Sequence, residues 1–163
     1  MPTPVDQEVT RRTVLAAAAA TMTLALVGPR GGTAQGQALG GQESVQDGLR
    51  RLFGDRPIKD GAAVVKLDIP LIAENGAVVP VTVDVASPMT PANHVKHIYV
   101  VADRNRIPII TRVALAPESG QASVATSVRL GETGDVRAIV EQSDGTLLQV
   151  KREVKVTVGG CGG

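Results

Sequence analysis

The chain is nearly devoid of aromatic side chains: Phe53 and Tyr99 are the whole set among 163 residues, and tryptophan is absent. Proteins that bind single-stranded nucleic acid stack bases on aromatic faces, so this shortage argues against that class. It also argues against a large aromatic-lined ligand pocket. An excess of either charge is missing as well, with 17 basic and 16 acidic residues. No basic stretch stands out, so the electrostatic footprint of a DNA-binding protein is lacking. Cysteine is reduced to one residue, Cys161, and histidine to two, His94 and His97. The main apolar run, Leu15 to Val27, is shorter than the about 20 residues needed to span a bilayer.

What is present begins with an export signal. Thr10-Arg11-Arg12-Thr13-Val14-Leu15 is a twin-arginine motif, followed by the alanine-rich apolar run and then by small residues through Gly32-Thr33-Ala34 and Gly36-Gln37-Ala38. The motif departs from the ideal at Val14, where phenylalanine is usual, and at Ala16, where lysine is common. The segment 1–38 is therefore read as a signal peptide and set apart from the fold. It places the protein in the periplasm. No cysteine lies near the cleavage region, which excludes a lipoprotein anchor. The twin-arginine route carries folded passengers, most of them built around a cofactor. No cofactor site is evident here, so folding with a partner subunit before export is the expectation.

The mature chain reads as one domain, 39–158, with a terminal extension, 159–163. Ser44 is placed as an N-cap, and Val45, Leu49, Leu52 and Phe53 fall on one face of a short helix that Gly54 stops. From Gly61 onward the period is two. Val79, Val81, Val83 and Val85 alternate with Pro80, Thr82 and Asp84. Pro80 marks an edge or a bulge, because proline cannot donate to a ladder. Further strands are expected over Ala63–Ile69, Val95–Val101, Ile107–Leu115, Ala122–Leu130, Val136–Gln142 and Thr146–Val158. Arg152 interrupts the apolar face of the last and marks a bulge or the rim of the core. Asp144-Gly145 signals a two-residue hairpin with both central residues at positive φ. Seven short strands with regular turns imply an all-β fold, an immunoglobulin-like antiparallel β-sandwich with a short N-terminal helix.

The ending Gly159-Gly160-Cys161-Gly162-Gly163 carries the chemistry. Glycines on both sides of the cysteine give little bulk and wide backbone freedom, so the tail reads as a flexible arm. Fully extended, its five residues reach about 17 Å. An unpaired cysteine in an exported protein can oxidise or cross-link, and keeping one there needs a reason. Covalent carriage of a group between active sites is that reason. No Lys, Arg or His lies within four residues of Cys161. An activated thiol usually has a cationic neighbour or a base beside it. The expectation is an attachment point whose partners supply charge and base, not a catalyst. Prenylation does not fit, because the pattern needs three residues after the cysteine.

The ending from Val154 to Gly163 resembles that of the SoxY family, the sulfur-carrying subunits of the periplasmic Sox thiosulfate-oxidation system. Ile72-Ala73-Glu74-Asn75-Gly76-Ala77-Val78-Val79-Pro80-Val81 and Ser143-Asp144-Gly145 are similar to the family's turn-and-strand and late hairpin. The likeness runs from about residue 45 to the terminus. Ser127-Val128-Arg129-Leu130 departs from it, since members often carry an extra arginine there. The resemblance implies a SoxZ-like β-sandwich partner, a SoxAX-like c-type cytochrome that conjugates thiosulfate to Cys161, and a SoxB-like hydrolase that releases sulfate. In some organisms a SoxCD-like sulfane dehydrogenase follows. Cys161 would be the attachment atom, with Gly159, Gly160, Gly162 and Gly163 supplying reach.

Other candidates are weaker. His94 and His97 form a His-x-x-His pair, but i and i+3 on a strand face opposite ways, and no third ligand is near in sequence. They read as surface or partner-contact residues, with no metal expected. Glu74 reads as part of a polar turn, and Arg104, Asn105 and Arg106 as a solvated loop open to a partner. No catalytic Ser/His/Asp set or phosphate-cradling glycine loop is present. Two other function classes compete: a ubiquitin-like carrier using the terminal carboxylate, which would need no export signal, and a periplasmic assembly or adhesion module whose cysteine forms an intermolecular disulfide.

Overall fold

The computed structural model describes residues 43–160; the twin-arginine segment and Cys161, Gly162 and Gly163 lie outside the described residues. The helix forms where capping chemistry places it. Ser44 Oγ accepts the Asp47 amide at 3.1 Å, and α1 (Val45–Phe53) ends at Gly54 with φ 62°, whose amide donates to Arg50.

Among the described residues nine strands follow: β1 (Ile58–Asp60), β2 (Val65–Asp68), β3 (Ile72–Asn75), β4 (Val79–Val85), β5 (Val95–Ala102), β6 (Ile109–Ala114), β7 (Ala122–Val128), β8 (Gly134–Gln142) and β9 (Leu147–Val158). They make a β-sandwich of two sheets. The larger runs β1-β9-β8-β5-β6 with β3 also paired to β9, and the smaller runs β2-β4-β7. Val81 and Val83 of β4 meet Ile98 and Val100 of β5 and Ala138 and Val140 of β8 in the buried core between the sheets. Such cores are made by the inward-facing residues of the two sheets.

The other face of the large sheet is covered too. Tyr99, Val101, Ile139 and Leu147 pack with Phe53, and the apolar stripe of α1 covers them. The Phe53 ring stands edge-on to Tyr99, with centroids 5.0 Å apart, a favoured geometry for aromatic pairs. Burial on both faces explains why Ile98–Ala102 is buried without a break, whereas β4 alternates.

Three expectations change. The sandwich has nine strands, because β1 and β3, with three and four residues, are too short to show a period. Both pair parallel with β9, so the fold is not purely antiparallel. The hairpin after β8 also differs from the two-residue form. The Gly145 amide donates to the Gln142 carbonyl at 3.0 Å. Only Gly145, at φ 85°, takes a positive angle there, as in a type I turn closed by a left-handed glycine.

Pro80 and Arg152 sit where local pairing is incomplete. β2 pairs with β4 only from Thr82 to Val85, so β7 is the single neighbour beside Pro80. Neither β1 nor β3 pairs with Val150–Val154. Arg152 therefore lies exposed at this gap, in unbroken register with Val136.

Candidate functional site

Three backbone segments converge where β9 ends. The Gly76 amide donates to the Val158 carbonyl at 2.7 Å, the Leu130 amide to the Gly76 carbonyl at 2.7 Å, and the Gly160 amide to the Leu130 carbonyl at 3.0 Å. The turn after β3, the loop after β7 and the chain terminus thus form one short hydrogen-bonded series. Gly76 and Gly160 are both buried.

The glycines are required by close approach. A Cβ on Gly76 would stand 2.3 Å from the Leu130 carbonyl oxygen and 2.9 Å from the Gly160 nitrogen. One on Gly160 would meet the Gly76 oxygen at 2.7 Å and Ala77 Cα at 2.8 Å, and one on Gly159 the Gly131 oxygen at 2.3 Å. Non-bonded carbon contacts are optimal near 3.5–4.0 Å, so no larger residue fits without moving backbone. The sequence suggests that Gly159 and Gly160 belong to a free arm. The structure instead seats both against the domain.

The loop that receives Gly160 is itself held. Asn105, 8% exposed, donates from Nδ2 to the Arg129 carbonyl at 2.7 Å. Its Oδ1 accepts the Gly131 amide at 3.0 Å, so one side chain grips both sides of Leu130. Asn105 follows Asp103, which is fixed by Arg137 Nε at 2.8 Å. That hydrogen bond raises the Arg137 pKa, with burial opposing. On the opposite side, Asn75 Oδ1 accepts the Ala77 amide at 2.9 Å and shapes the Gly76 turn.

Asn105 was expected in a solvated loop, and it is buried. Arg104 and Arg106 beside it are exposed. Arg129 is the residue that sequence distance concealed. Its Cγ lies 2.8 Å from where a Gly160 Cβ would stand, so the fold brings a cationic side chain against the residue preceding Cys161. Glu74 is exposed, and it lies in β3 where a turn was expected.

The histidines do not converge. His94 Nδ1 lies 3.2 Å from the Thr90 carbonyl, to which it can only donate. His97 Nδ1 lies 2.9 Å from Glu141 Oε2, and its Nε2 is 2.9 Å from Arg112 Nη2. A guanidinium has only donors, so Nε2 accepts and the ring proton sits on Nδ1, toward the carboxylate. Glu141 also accepts from Arg56 at 2.8 Å and from the Tyr99 hydroxyl at 3.3 Å. Burial alone would raise the Glu141 pKa. The hydrogen bonds from Arg56 and His97, with the charge of Arg56, outweigh it and hold the carboxyl below its ordinary value. Arg56 Nε also donates to the Phe53 carbonyl at 3.2 Å, so the cluster ties the end of α1 to the sheet. Among the described residues, no group of three or more His, Cys, Asp or Glu is placed to hold a metal.

Fold and terminus together define a small β-sandwich with a glycine-seated, cysteine-bearing end. The family model for the sulfur oxidation protein SoxY matches residues 49–161, and the chain belongs to the SoxY family. The solved structure of the sulfur carrier protein SoxY from Chlorobium limicola f thiosulfatophilum is similar at 30% identity and a TM-score of 0.59, over 71% of this chain and 97% of that one. A superoxide reductase (neelaredoxin) variant from Ignicoccus hospitalis is similar at 23% identity and TM-score 0.52, over 57% of this chain and 79% of that one. A superoxide reductase-like protein from Thermotoga maritima reaches 19% and 0.52, over 62% of this chain and 93% of that one. These two share the fold alone. A search of curated proteins finds no match.

Proposed function

We propose that this protein carries sulfur intermediates of thiosulfate oxidation as covalent adducts of Cys161 and presents them to partner enzymes. One observation carries the reading: the only cysteine follows directly on a glycine that the fold seats through three converging backbones. Membership of the SoxY family supports sulfur as the cargo. The protein itself supplies an attachment atom and no catalytic set. In this reading a SoxAX-like cytochrome removes two electrons as thiosulfate joins the thiolate, forming a sulfur–sulfur bond. A SoxB-like hydrolase then releases sulfate, and a SoxCD-like dehydrogenase, where present, oxidises the remaining sulfur.

Val78 and Val158 are exposed beside this seat, at 66% and 62%, and suit contact with such enzymes. A SoxZ-like subunit is the expected stable partner. Intact-mass analysis after incubation with thiosulfate and the conjugating cytochrome tests the reading. A thiosulfate-sized increment mapped to Cys161 is expected; an unmodified thiol throughout would refute it.

Export to the periplasm by the twin-arginine route completes the proposal. Changing Arg11 and Arg12 together to lysine should leave the precursor in the cytoplasm. Cell fractionation and immunoblotting read this directly. A partner lacking its own signal should be retained with it.

A further inference from the structure

We propose that Asn105 is a positioning residue for the carrier terminus: by holding the loop around Leu130 it seats Gly160 and so fixes the point from which Cys161 leaves the domain. The significance of this seat rests on the reading of Cys161 as the attachment point, but its existence can be tested without any sulfur chemistry.

The geometry runs in one direction. Asn105 is buried and uses both ends of its amide on the backbone flanking Leu130. This aims the Leu130 carbonyl at the Gly160 amide and the Leu130 amide at Gly76. Gly76 closes the seat from the other side through Val158. With Gly160 seated next to the Arg129 stem, the chain beyond it starts from a fixed point. A partner enzyme then meets the thiol at a defined place, and ordering the tether costs less when it docks.

Two readings of the glycines now separate. If Gly160 serves freedom alone, alanine there should have little effect, and Gly76, far away in sequence, should have no bearing on the terminus. If Gly160 serves close approach, Gly160→Ala and Gly76→Ala should act alike, and Asn105→Ala should match both.

The test is amide hydrogen exchange of Gly160, followed by NMR in the whole protein. It is paired with the spectrum of a spin label attached to the single cysteine. In the unmodified protein the Gly160 amide should exchange at least about tenfold more slowly than in a free Gly-Gly-Cys-Gly-Gly peptide. Asn105→Ala, Gly76→Ala and Gly160→Ala should each remove most of that protection and sharpen the label's spectrum. Asn105→Asp keeps the acceptor for Gly131 but loses the donor to Arg129, so it should stay folded and show partial loss. Glu141→Gln weakens the helix-covered face elsewhere and should leave Gly160 protected, which separates positioning from general stability. Peptide-like exchange at Gly160 in the unmodified protein would overturn the proposal, as would full protection in Asn105→Ala. A protected Gly160 in a protein that takes up no sulfur would leave the seat standing and sink the carrier reading instead.

Discussion

Replacing Cys161 with serine is expected to abolish the sulfur adduct completely, and with it thiosulfate-dependent respiration. The fold should be unchanged. The effect is all-or-none because no second cysteine can take over. Serine is also a poor substitute: its hydroxyl is scarcely ionised at neutral pH and cannot form the sulfur–sulfur bond that carriage requires. Intact mass should show no increment after exposure to thiosulfate and the conjugating enzyme. Circular dichroism and urea unfolding should overlay those of the unmodified protein, since the residue lies beyond the last strand. Residual thiosulfate-dependent growth in a strain whose only copy carries Cys161→Ser would mean that the cargo sits elsewhere. Loss of fold in the variant would assign the cysteine a packing role.

The second large effect is on stability. Glu141 is 9% exposed and takes hydrogen bonds from Arg56, His97 and Tyr99. Glu141→Ala removes the acceptor these donors share, although Arg56 keeps the Phe53 and Gly145 carbonyls at 3.2 and 3.4 Å. Arg56 is partly exposed and can recover water, whereas the Tyr99 side chain is buried. The loss is expected to be about 2 kcal/mol at neutral pH by urea denaturation. The sign of its pH dependence follows from the lowered Glu141 pKa. A carboxyl with a depressed folded value stabilises the protein fully above its unfolded value, near 4.3 for glutamate. That contribution is lost as pH falls through the folded value. The gap between the unmodified protein and Glu141→Ala should therefore narrow as the medium is taken below about pH 4. A constant gap down to pH 3 would show that the carboxylate charge contributes nothing.

Much of this could be read before any coordinates. Ser44, the spacing from Val45 to Phe53 and Gly54 mark α1, because capping and helical periodicity are local properties. The valines of β4 declare themselves by alternation, since one face is buried and the other wet. β1 and β3 escape notice for the opposite reason. Each is only three or four residues long and owes its extended form to parallel pairing with a strand near the other end of the chain. Tyr99 and Val101 were legible as strand residues. That they face α1, away from the sandwich core, is decided by the docking of the helix on the second face.

A single cysteine among glycines, with no cationic neighbour along the backbone, and a β-sandwich before it are legible from residue order alone. Those conclusions depend on residue identity and short-range order. The constraint on Gly159 and Gly160 arises only in the folded chain. Their constraint comes from the Gly76 turn and the Leu130 loop, gripped by a buried Asn105, and the same packing lays Arg129 beside the residue before Cys161. No local pattern encodes such contacts. They arise when distant segments approach more closely than any side chain larger than hydrogen allows.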